Sequence, residues 1–398
     1  MVATRAQRSA AAAALPASVR RALQSEDVLA CVLSQIDVRD GCLRSVASVS
    51  KAWRAAWRRR CAGRCRLLRT QIGTFQDVVH VTALPGGGAV VPNYGHFRIE
   101  AFSPDGDSQA VYCKSFETPG AMALLGDGTA WVMARDRGAV CHVRWQDEVG
   151  AEPPRFRWPH LDDGGDFGDP YRRTLSHVDI RALGSSQGLG GYLRPYDLAV
   201  SGDRLLVLCG GFRYARVCVY SQTGAFLYHI GRGPGAGEAD ALIGPKALAT
   251  HQDLCFVADT YNHAIKIYNF RQRELVRTMG STANSPYEEN TWHDNLAYED
   301  PRRSDLPCEF NEPAGVAFRD GRLYVSESGG RRIQVLRLAS GIQGPVECLQ
   351  IIPSPNGLKL YGLCISGERL WCVGQQLTDD TSFLRNSHGC LHLFKACV

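Results

Sequence analysis

The stretch from Gly244 to Gly280 reads GPKALATHQDLCFVADTYNHAIKIYNFRQRELVRTMG. It contains four short apolar runs, at residues 246–250, 254–258, 265–268 and 275–279, with Asp, Asn, His and Gln between them. Short apolar runs bounded by turn residues are typical of β-strands. Four such runs in close succession predict one antiparallel meander, the unit from which a propeller blade is built.

The same pattern occurs six times along the chain. Each copy has an apolar second run, and the residues at the middle of these runs are Val90, Val132, Val207, Val257, Val325 and Cys372. The two widest intervals between them accommodate insertions at about 146–192 and 281–310. Self-similarity of this kind is the signature of a repeat architecture, so the sequence predicts six blades.

Two of the copies also resemble a known repeat. The segments VADTYNHAIKIY (257–268) and YVSESGGRRIQV (324–335) resemble the NHL repeat, and the remaining copies share mainly its strand pattern. The resemblance implies a mainly β protein in which residues 66–398 form a six-bladed NHL-type β-propeller.

The two ends of this region predict how the ring closes. The segment RLLRTQIG (66–73) is similar to the fourth strands that end at Gly231 and Gly280, whereas the chain stops after a third strand. The last blade therefore lacks one strand, and the N-terminal end of the propeller has one to spare. We predict that residues 67–72 join the last blade, which removes an open sheet edge and closes the ring.

Composition limits the classes of function. No apolar run approaches the ~18 residues that a membrane span needs, so no membrane partner is expected. The chain has 15 cysteines but no C-x-x-C pair, which favours reduced thiols in a cytoplasmic or nuclear protein. Residues 1–22 hold four arginines and no acidic residue; we interpret them as a disordered basic tail, with an organelle transit peptide as the alternative.

Charge is distributed unevenly between the two ends. Residues 1–65 carry 12 Lys/Arg against 4 Asp/Glu, a net charge of +8, and the remainder carries 33 against 36, a net charge of −3. A propeller of this balance is not a strongly basic body, which disfavours RNA as its partner.

Residues 23–62 are predicted to form a small three-helix domain. Ser25, Asp40 and Ser50 are suitable N-caps, and apolar residues follow them at helical spacing. The segment resembles an F-box at DVL (27–29), DVRD (37–40) and VSKAWR (49–54), although Gln24 stands where the family usually has proline.

The F-box resemblance implies a partner. The family docks onto the Skp-type adaptor of a cullin-based ubiquitin ligase. By that resemblance the adaptor contacts would be Leu23, Val28, Leu29, Val32, Ile36, Leu43 and Val46. The alternative is a helical cap that packs only within the protein, because a domain of ~40 residues is rarely stable by itself.

One face of the propeller is expected to bind a target protein. The loops between second and third strands share a face with the two insertions, and Tyr and Arg are enriched at binding hot spots. The candidate contacts in these loops and insertions are Tyr94, His96, Arg135, Arg137, Arg213, Tyr214, Tyr261, His263, Tyr287, Trp292, Tyr298 and Arg331. Because the insertion at 281–310 is rich in Asp and Glu, the expected target is basic.

Catalytic patterns were searched for along the first strands, which line the axis of a propeller. The third positions of these strands are His80, Ala121, Asp197, Ala247, Gly315 and Gly362. One His and one Asp are fewer ligands than a metal site needs, so we predict no metal, no cofactor and no catalytic residues. His388, Cys390 and His392 alternate along a strand, and an ordinary strand is the favoured interpretation.

The sequence therefore predicts a non-catalytic interaction protein with an F-box-like domain followed by a propeller. Its predicted function is target recognition in a Skp–cullin–F-box ubiquitin ligase, leading to ubiquitin-dependent degradation of the target. Three alternatives stay open: an RNA-binding NHL propeller, a six-bladed hydrolase or lyase that uses His80 and Asp197, and a propeller scaffold with no link to a ligase.

Overall fold

The structure of the protein is a computed structural model. It describes residues 64–76, 78–96, 98–112, 119–135, 138–144, 176–180, 194–210, 215–231, 240–280, 303–338, 341–376 and 388–396. The tail at 1–22 and the F-box-like segment at 23–62 lie outside these ranges, as does most of both insertions. The predicted helical domain is therefore not described.

The described residues form a six-bladed β-propeller of six four-stranded antiparallel sheets. One strand precedes the first blade, β1 (Arg66–Gln76). Blade one consists of β2 (Thr82–Ala83), β3 (Ala89–Asn93), β4 (Arg98–Phe102) and β5 (Ser108–Tyr112). Blade two consists of β6 (Pro119–Leu124), β7 (Thr129–Ala134), β8 (Ala139–Arg144) and β9 (Ser176–Asp179). Blade three consists of β10 (Arg194–Ser201), β11 (Arg204–Gly210), β12 (Arg216–Ser221) and β13 (Phe226–Ile230). Blade four consists of β14 (Ala247–His251), β15 (Leu254–Asp259), β16 (Ala264–Asn269) and β17 (Glu274–Gly280). Blade five consists of β18 (Pro313–Arg319), β19 (Arg322–Glu327), β20 (Arg332–Leu338) and β21 (Val346–Pro353). Blade six consists of β22 (Lys359–Ser366), β23 (Arg369–Gln376) and β24 (His388–Lys395), together with β1.

The second strands form the middle of the core. All six residues that marked the repeats in the sequence, from Val90 to Cys372, have no exposed surface. Each second strand packs against neighbouring blades on both faces, as in the clusters that join β11 to β15 and β15 to β19. This two-sided burial explains why these strands are continuous apolar runs and not alternating ones.

The ring closes as the sequence predicts. Strand β1 pairs antiparallel with β24, with Ile72 opposite Leu391 and Phe75 opposite Gly389. The strand is longer than the predicted 67–72 because irregularities in its register let it continue to Gln76. Phe75 lies edge-on to Phe102 of the first blade, 5.9 Å between ring centroids, so β1 contacts both blades at the seam.

The first strand of blade one is shorter than the first strands of the other blades. Only Thr82–Ala83 forms a ladder with β3. Val79 instead accepts a hydrogen bond from the backbone N–H of Gly362, at 2.8 Å, in blade six. The segment is thus held by the neighbouring blade and not by its own second strand.

Buried carboxylates fix the loops that enter blades four and five. Asp259, at the end of β15, accepts hydrogen bonds from the backbone N–H of Ile243 at 2.7 Å and from Asn262, and its Oδ2 lies 3.2 Å from Lys266 Nζ. Glu327, at the end of β19, accepts hydrogen bonds from the backbone N–H of Asn311 and from Arg332. The polar residues of the two NHL-like segments therefore support the blades.

The described residues also show the state of the cysteines and the character of the helices. No disulfide involves the ten cysteines within the described ranges. None of the helices in the described part of the chain has the length and apolar character to cross a bilayer.

Candidate functional site

The site lies at one mouth of the axial channel. First strands of adjacent blades contact one another around the axis, and their starts meet the ends of the second strands at this mouth. A pocket of about 170 Å³ opens there. It is lined by Val79, His80, Pro92, Tyr94, Pro119, Gly120, Met133, Arg135, Pro195, Tyr196, Lys246, Ala314, Tyr361 and Gln375.

Equivalent positions of the six blades converge on this pocket. In each blade the residue just before the third position of the first strand contributes to the lining. These six residues are Val79, Gly120, Tyr196, Lys246, Ala314 and Tyr361. The propeller's symmetry thus places six residues that are distant in sequence around one opening, where three small or aliphatic ones leave room for two tyrosines and a lysine.

Lys246 occupies an unusual electrostatic environment. Its Nζ lies 5.6 Å from the ring centroid of Tyr261 and 5.5 Å from that of Tyr361, which are cation–π distances. Burial lowers the pKa of the Lys246 ammonium; nearby Glu312 opposes this effect and Lys359 adds to it. Glu312 is itself engaged with Arg303, at 2.7 Å.

Arg135 is the second cation of the pocket. Its guanidinium carbon lies 5.0 Å from the centroid of the Tyr94 ring. Burial raises the pKa of Tyr361 to about 12, so that hydroxyl keeps its proton at neutral pH. The pocket therefore offers two cations, aromatic walls and a hydroxyl donor to a ligand.

His80 and Asp197 approach each other inside the channel. His80 Nδ1 lies 3.6 Å from Asp197 Oδ1, and both side chains are nearly buried. Burial, with a smaller contribution from Arg135, lowers the pKa of His80 to about 3. Burial raises the pKa of Asp197 to about 7, although the backbone N–H groups of Leu248 and Leu198 donate to its carboxylate. His80 is therefore uncharged at neutral pH, so the contact is not an ion pair.

Small residues at the axis allow neighbouring blades to approach closely. A Cβ on Gly362 would lie 2.5 Å from the carbonyl oxygen of Val79, and one on Gly315 would lie 2.4 Å from that of Tyr361. Both distances are too short for any side chain. Blades five, six and one can approach this closely only because glycine occupies these positions.

The pKa of Asp197 gives a testable pH dependence. Because its native pKa is raised, the stability it contributes is complete below pH about 4 and is lost as the pH rises through 7. His80 acts in the opposite sense, since its lowered pKa contributes stability above pH about 6.5 that is lost as the pH falls toward 3.

We expect Asp197→Asn to remove the pH-dependent stability that the Asp197 carboxyl contributes and to leave the contribution of His80 unchanged. Between pH 8 and pH 6 the wild-type protein should gain about 1 kcal/mol relative to the variant. Urea unfolding at several pH values measures this difference. Identical pH profiles for the two proteins would contradict the raised pKa of Asp197.

The structure places the predicted target contacts in different environments. Tyr94 and Arg135 line the pocket, and Tyr261 contacts Lys246. His96 and Arg331 are exposed outside the pocket lining. Six predicted contacts lie outside the described residues: Arg137, Arg213, Tyr214, Tyr287, Trp292 and Tyr298.

The position of His263 differs from the predicted one. It was predicted to lie on the binding face, but only 2% of it is exposed. Its Nδ1 accepts a hydrogen bond from the backbone N–H of Glu312 at 3.0 Å. The residue adopts a left-handed backbone conformation, with φ of 51°. His263 therefore braces the neighbouring loop.

The site residues predicted from the sequence did not include Tyr196, Lys246 and Tyr361. The predicted axial residues were those at the third position of each first strand, which faces the channel. The signal for the missed residues was one position earlier, directly after Pro195, Pro245 and Leu360, where large polar or aromatic residues stand in only some of the copies.

Of the alternating His388, Cys390 and His392, the last two meet, with Cys390 Sγ 3.7 Å from His392 Nε2. His392 is buried and its Nδ1 lies 2.7 Å from Thr70 Oγ1 of the closing strand, whereas His388 is exposed. Within the described ranges, no cluster of three or more His, Cys, Asp or Glu side chains could hold a metal ion.

Comparison with known proteins is informative about the fold. No protein-family model matches the chain, and no curated protein does. Among solved structures, a luciferin-regenerating enzyme is 13% identical with a TM-score of 0.51, covering 84% of this chain and 97% of its own. Virginiamycin B lyase of Staphylococcus aureus is 13% identical with a TM-score of 0.48, covering 82% and 99%. The WD40 propeller domain of Doa1 is 10% identical with a TM-score of 0.42, covering 83% and 96%. At these identities the likeness concerns the β-propeller fold alone.

Proposed function

We propose that this protein is the target-recognition subunit of a Skp–cullin–F-box ubiquitin ligase. In this proposal residues 23–62 dock the adaptor, the propeller face holds a target protein, and the chain itself is not catalytic. The F-box resemblance supports the first part, and a propeller fold suited to protein binding supports the second.

The observation that carries the proposal is the pocket at the channel mouth. Tyr94, Arg135, Tyr196 and Tyr361 line one opening together with Lys246. Tyr and Arg in a partly desolvated depression are the composition of a protein-binding hot spot. Such a pocket gives a target segment a defined anchor point on the propeller.

Adaptor docking is tested by capture from a cell extract. We expect the full chain to retain a Skp-type adaptor and a cullin, and the double variant Leu29→Ala, Val32→Ala to lose both, because truncation removes apolar contacts at the proposed interface. The matched control is Lys246→Gln, which alters only the propeller and should retain both partners. Failure of the unaltered chain to capture the adaptor would contradict the ligase proposal.

A six-bladed hydrolase or lyase is the second candidate. The observation that favours it is the approach of His80 to Asp197 in a channel of about 250 Å³. Metal retained by the purified protein, and lost in both His80→Ala and Asp197→Ala, would support this candidate. Purified protein that retains no metal, and whose target binding is the same in these two variants as in the wild type, would contradict this candidate function.

A further inference from the structure

We propose that the pocket at the channel mouth recognises an oxyanion, a phosphate or a carboxylate, on a side chain of the bound target, and that Lys246 and Arg135 contact it. This inference rests on the proposed function and specifies the chemistry of the target.

Two buried cations elsewhere in the described propeller, Lys266 and Arg332, have carboxylate partners. Lys266 lies 3.2 Å from Asp259, and Arg332 lies 2.9 Å from Glu327, with both cationic side chains less than a tenth exposed. Lys246 and Arg135 make no ion pair with a described carboxylate, and their cation contacts are tyrosine rings. A cation that is partly removed from water without a counter-charge is costly to the protein.

The lining supplies no negative charge to compensate. It contains no Asp or Glu, and His80 is uncharged because burial lowers its pKa to about 3. Glu312, the acidic residue that acts on Lys246, already pairs with Arg303 at 2.7 Å and accepts a hydrogen bond from Ser328 at 3.1 Å. An incoming oxyanion would therefore meet two cations whose attraction is not already satisfied by a carboxylate of the described chain.

The pocket's chemistry fits an oxyanion on a side chain. Ammonium and guanidinium groups form short, charge-assisted hydrogen bonds to carboxylate and phosphate. The hydroxyl of Tyr361 is an additional donor, since burial raises its pKa to about 12. Binding of an anion would also favour the ammonium form of Lys246, which burial disfavours.

A protein segment fits better than a nucleic acid. The opening is a single pocket of about 170 Å³ at the axis, which admits one side chain, whereas single-stranded RNA binds along an extended basic groove. The net charge of −3 on residues 66–398 also disfavours RNA. An anionic anchor is opposite in charge to the basic target that the acidic insertion at 281–310 leads one to expect from the sequence.

Blocked amino acids test the inference without knowledge of the target. The full chain is titrated with N-acetyl-phosphotyrosine amide, N-acetyl-phosphoserine amide, N-acetyl-glutamate amide and N-acetyl-lysine amide, with ligand-observed NMR as the readout. We expect at least one anionic probe to bind and the lysine probe not to bind. Preference for the phosphate probes or the glutamate probe identifies which oxyanion the pocket selects.

Variants locate the binding. Lys246→Gln and Arg135→Gln should each weaken binding of the anionic probe by about tenfold, the loss expected for one charge-assisted hydrogen bond. Arg331→Gln is the matched control, because it removes an exposed cation of the same face that does not line the pocket. Unfolding midpoints of all variants are measured in parallel, so that loss of fold is recognised.

Three results would overturn the inference: no anionic probe binds, binding survives both pocket substitutions, or the lysine probe binds equally well. Binding of single-stranded RNA that requires Lys246, with no binding of the amino-acid probes, would also overturn it in favour of a nucleic-acid partner. Capture of the adaptor is measured separately on the same variants. Loss of anion binding with the adaptor retained would contradict this inference alone, and loss of adaptor capture by the unaltered chain would contradict the proposed function alone.

Discussion

Replacement of Phe75 by alanine is expected to lower the free energy of unfolding by about 3–5 kcal/mol. The ring is 1% exposed and belongs to the core cluster at the seam between the sixth and first blades. Its removal leaves a cavity beside Phe102, and it loosens β1, the strand that joins the beginning of the propeller to its last blade. Urea unfolding monitored by circular dichroism measures the change.

The control for this experiment is on the same strand. Leu68 is 39% exposed, so Leu68→Ala should cost less than about 1 kcal/mol because little buried apolar surface is lost. Equal destabilisation by the two substitutions would contradict a seam that is held by the buried face of β1.

The second large effect is expected from Glu327. Glu327→Ala should destabilise the protein by about 3–5 kcal/mol, because Arg332 is left buried without its counter-charge. The same substitution removes the acceptor for the backbone N–H of Asn311 and for Gln334. We expect the loop at 303–312 to become more susceptible to proteolysis, since Arg332 also donates to the carbonyl oxygen of Glu309 in this loop.

An exposed ion pair in the same blade is the matched control. Arg337 and Glu347 form a salt bridge across β20 and β21, and each side chain is more than half exposed. Water screens such pairs, so Glu347→Ala should cost less than about 1 kcal/mol. A comparable loss for the two glutamates would show that the buried pair of Glu327 and Arg332 does not contribute as the structure indicates.

Most of the fold could be predicted because its signals are local. The four strands of blade four begin and end within one residue of the predicted runs, as β15 does at Leu254–Asp259. A strand that is buried on both faces must be apolar throughout, and a turn between strands must be polar or contain glycine. The exception, the start of blade one, is held by Gly362, a contact with a residue almost 300 positions away that no local pattern reveals.

The candidate site could be predicted only in part. Tyr94 and Arg135 were identified because they follow second strands, where loops on the binding face begin. Lys246 was overlooked because it precedes a strand. Nothing near it in the sequence indicates that its ammonium group contacts the rings of Tyr261 and Tyr361. His263 was misassigned because a loop position does not reveal that its side chain turns inward to accept a hydrogen bond from Glu312.

The sequence by itself determined the number of blades, the position of nearly every strand and the strand that closes the ring. These features depend on the alternation of apolar runs with turn residues and on a count of strands, which can be read along the chain. Only the tertiary structure decided which side chains meet at the axis and which charges are paired. Both depend on residues from blades far apart in sequence, because a propeller brings its repeats together around a centre that none of them forms alone.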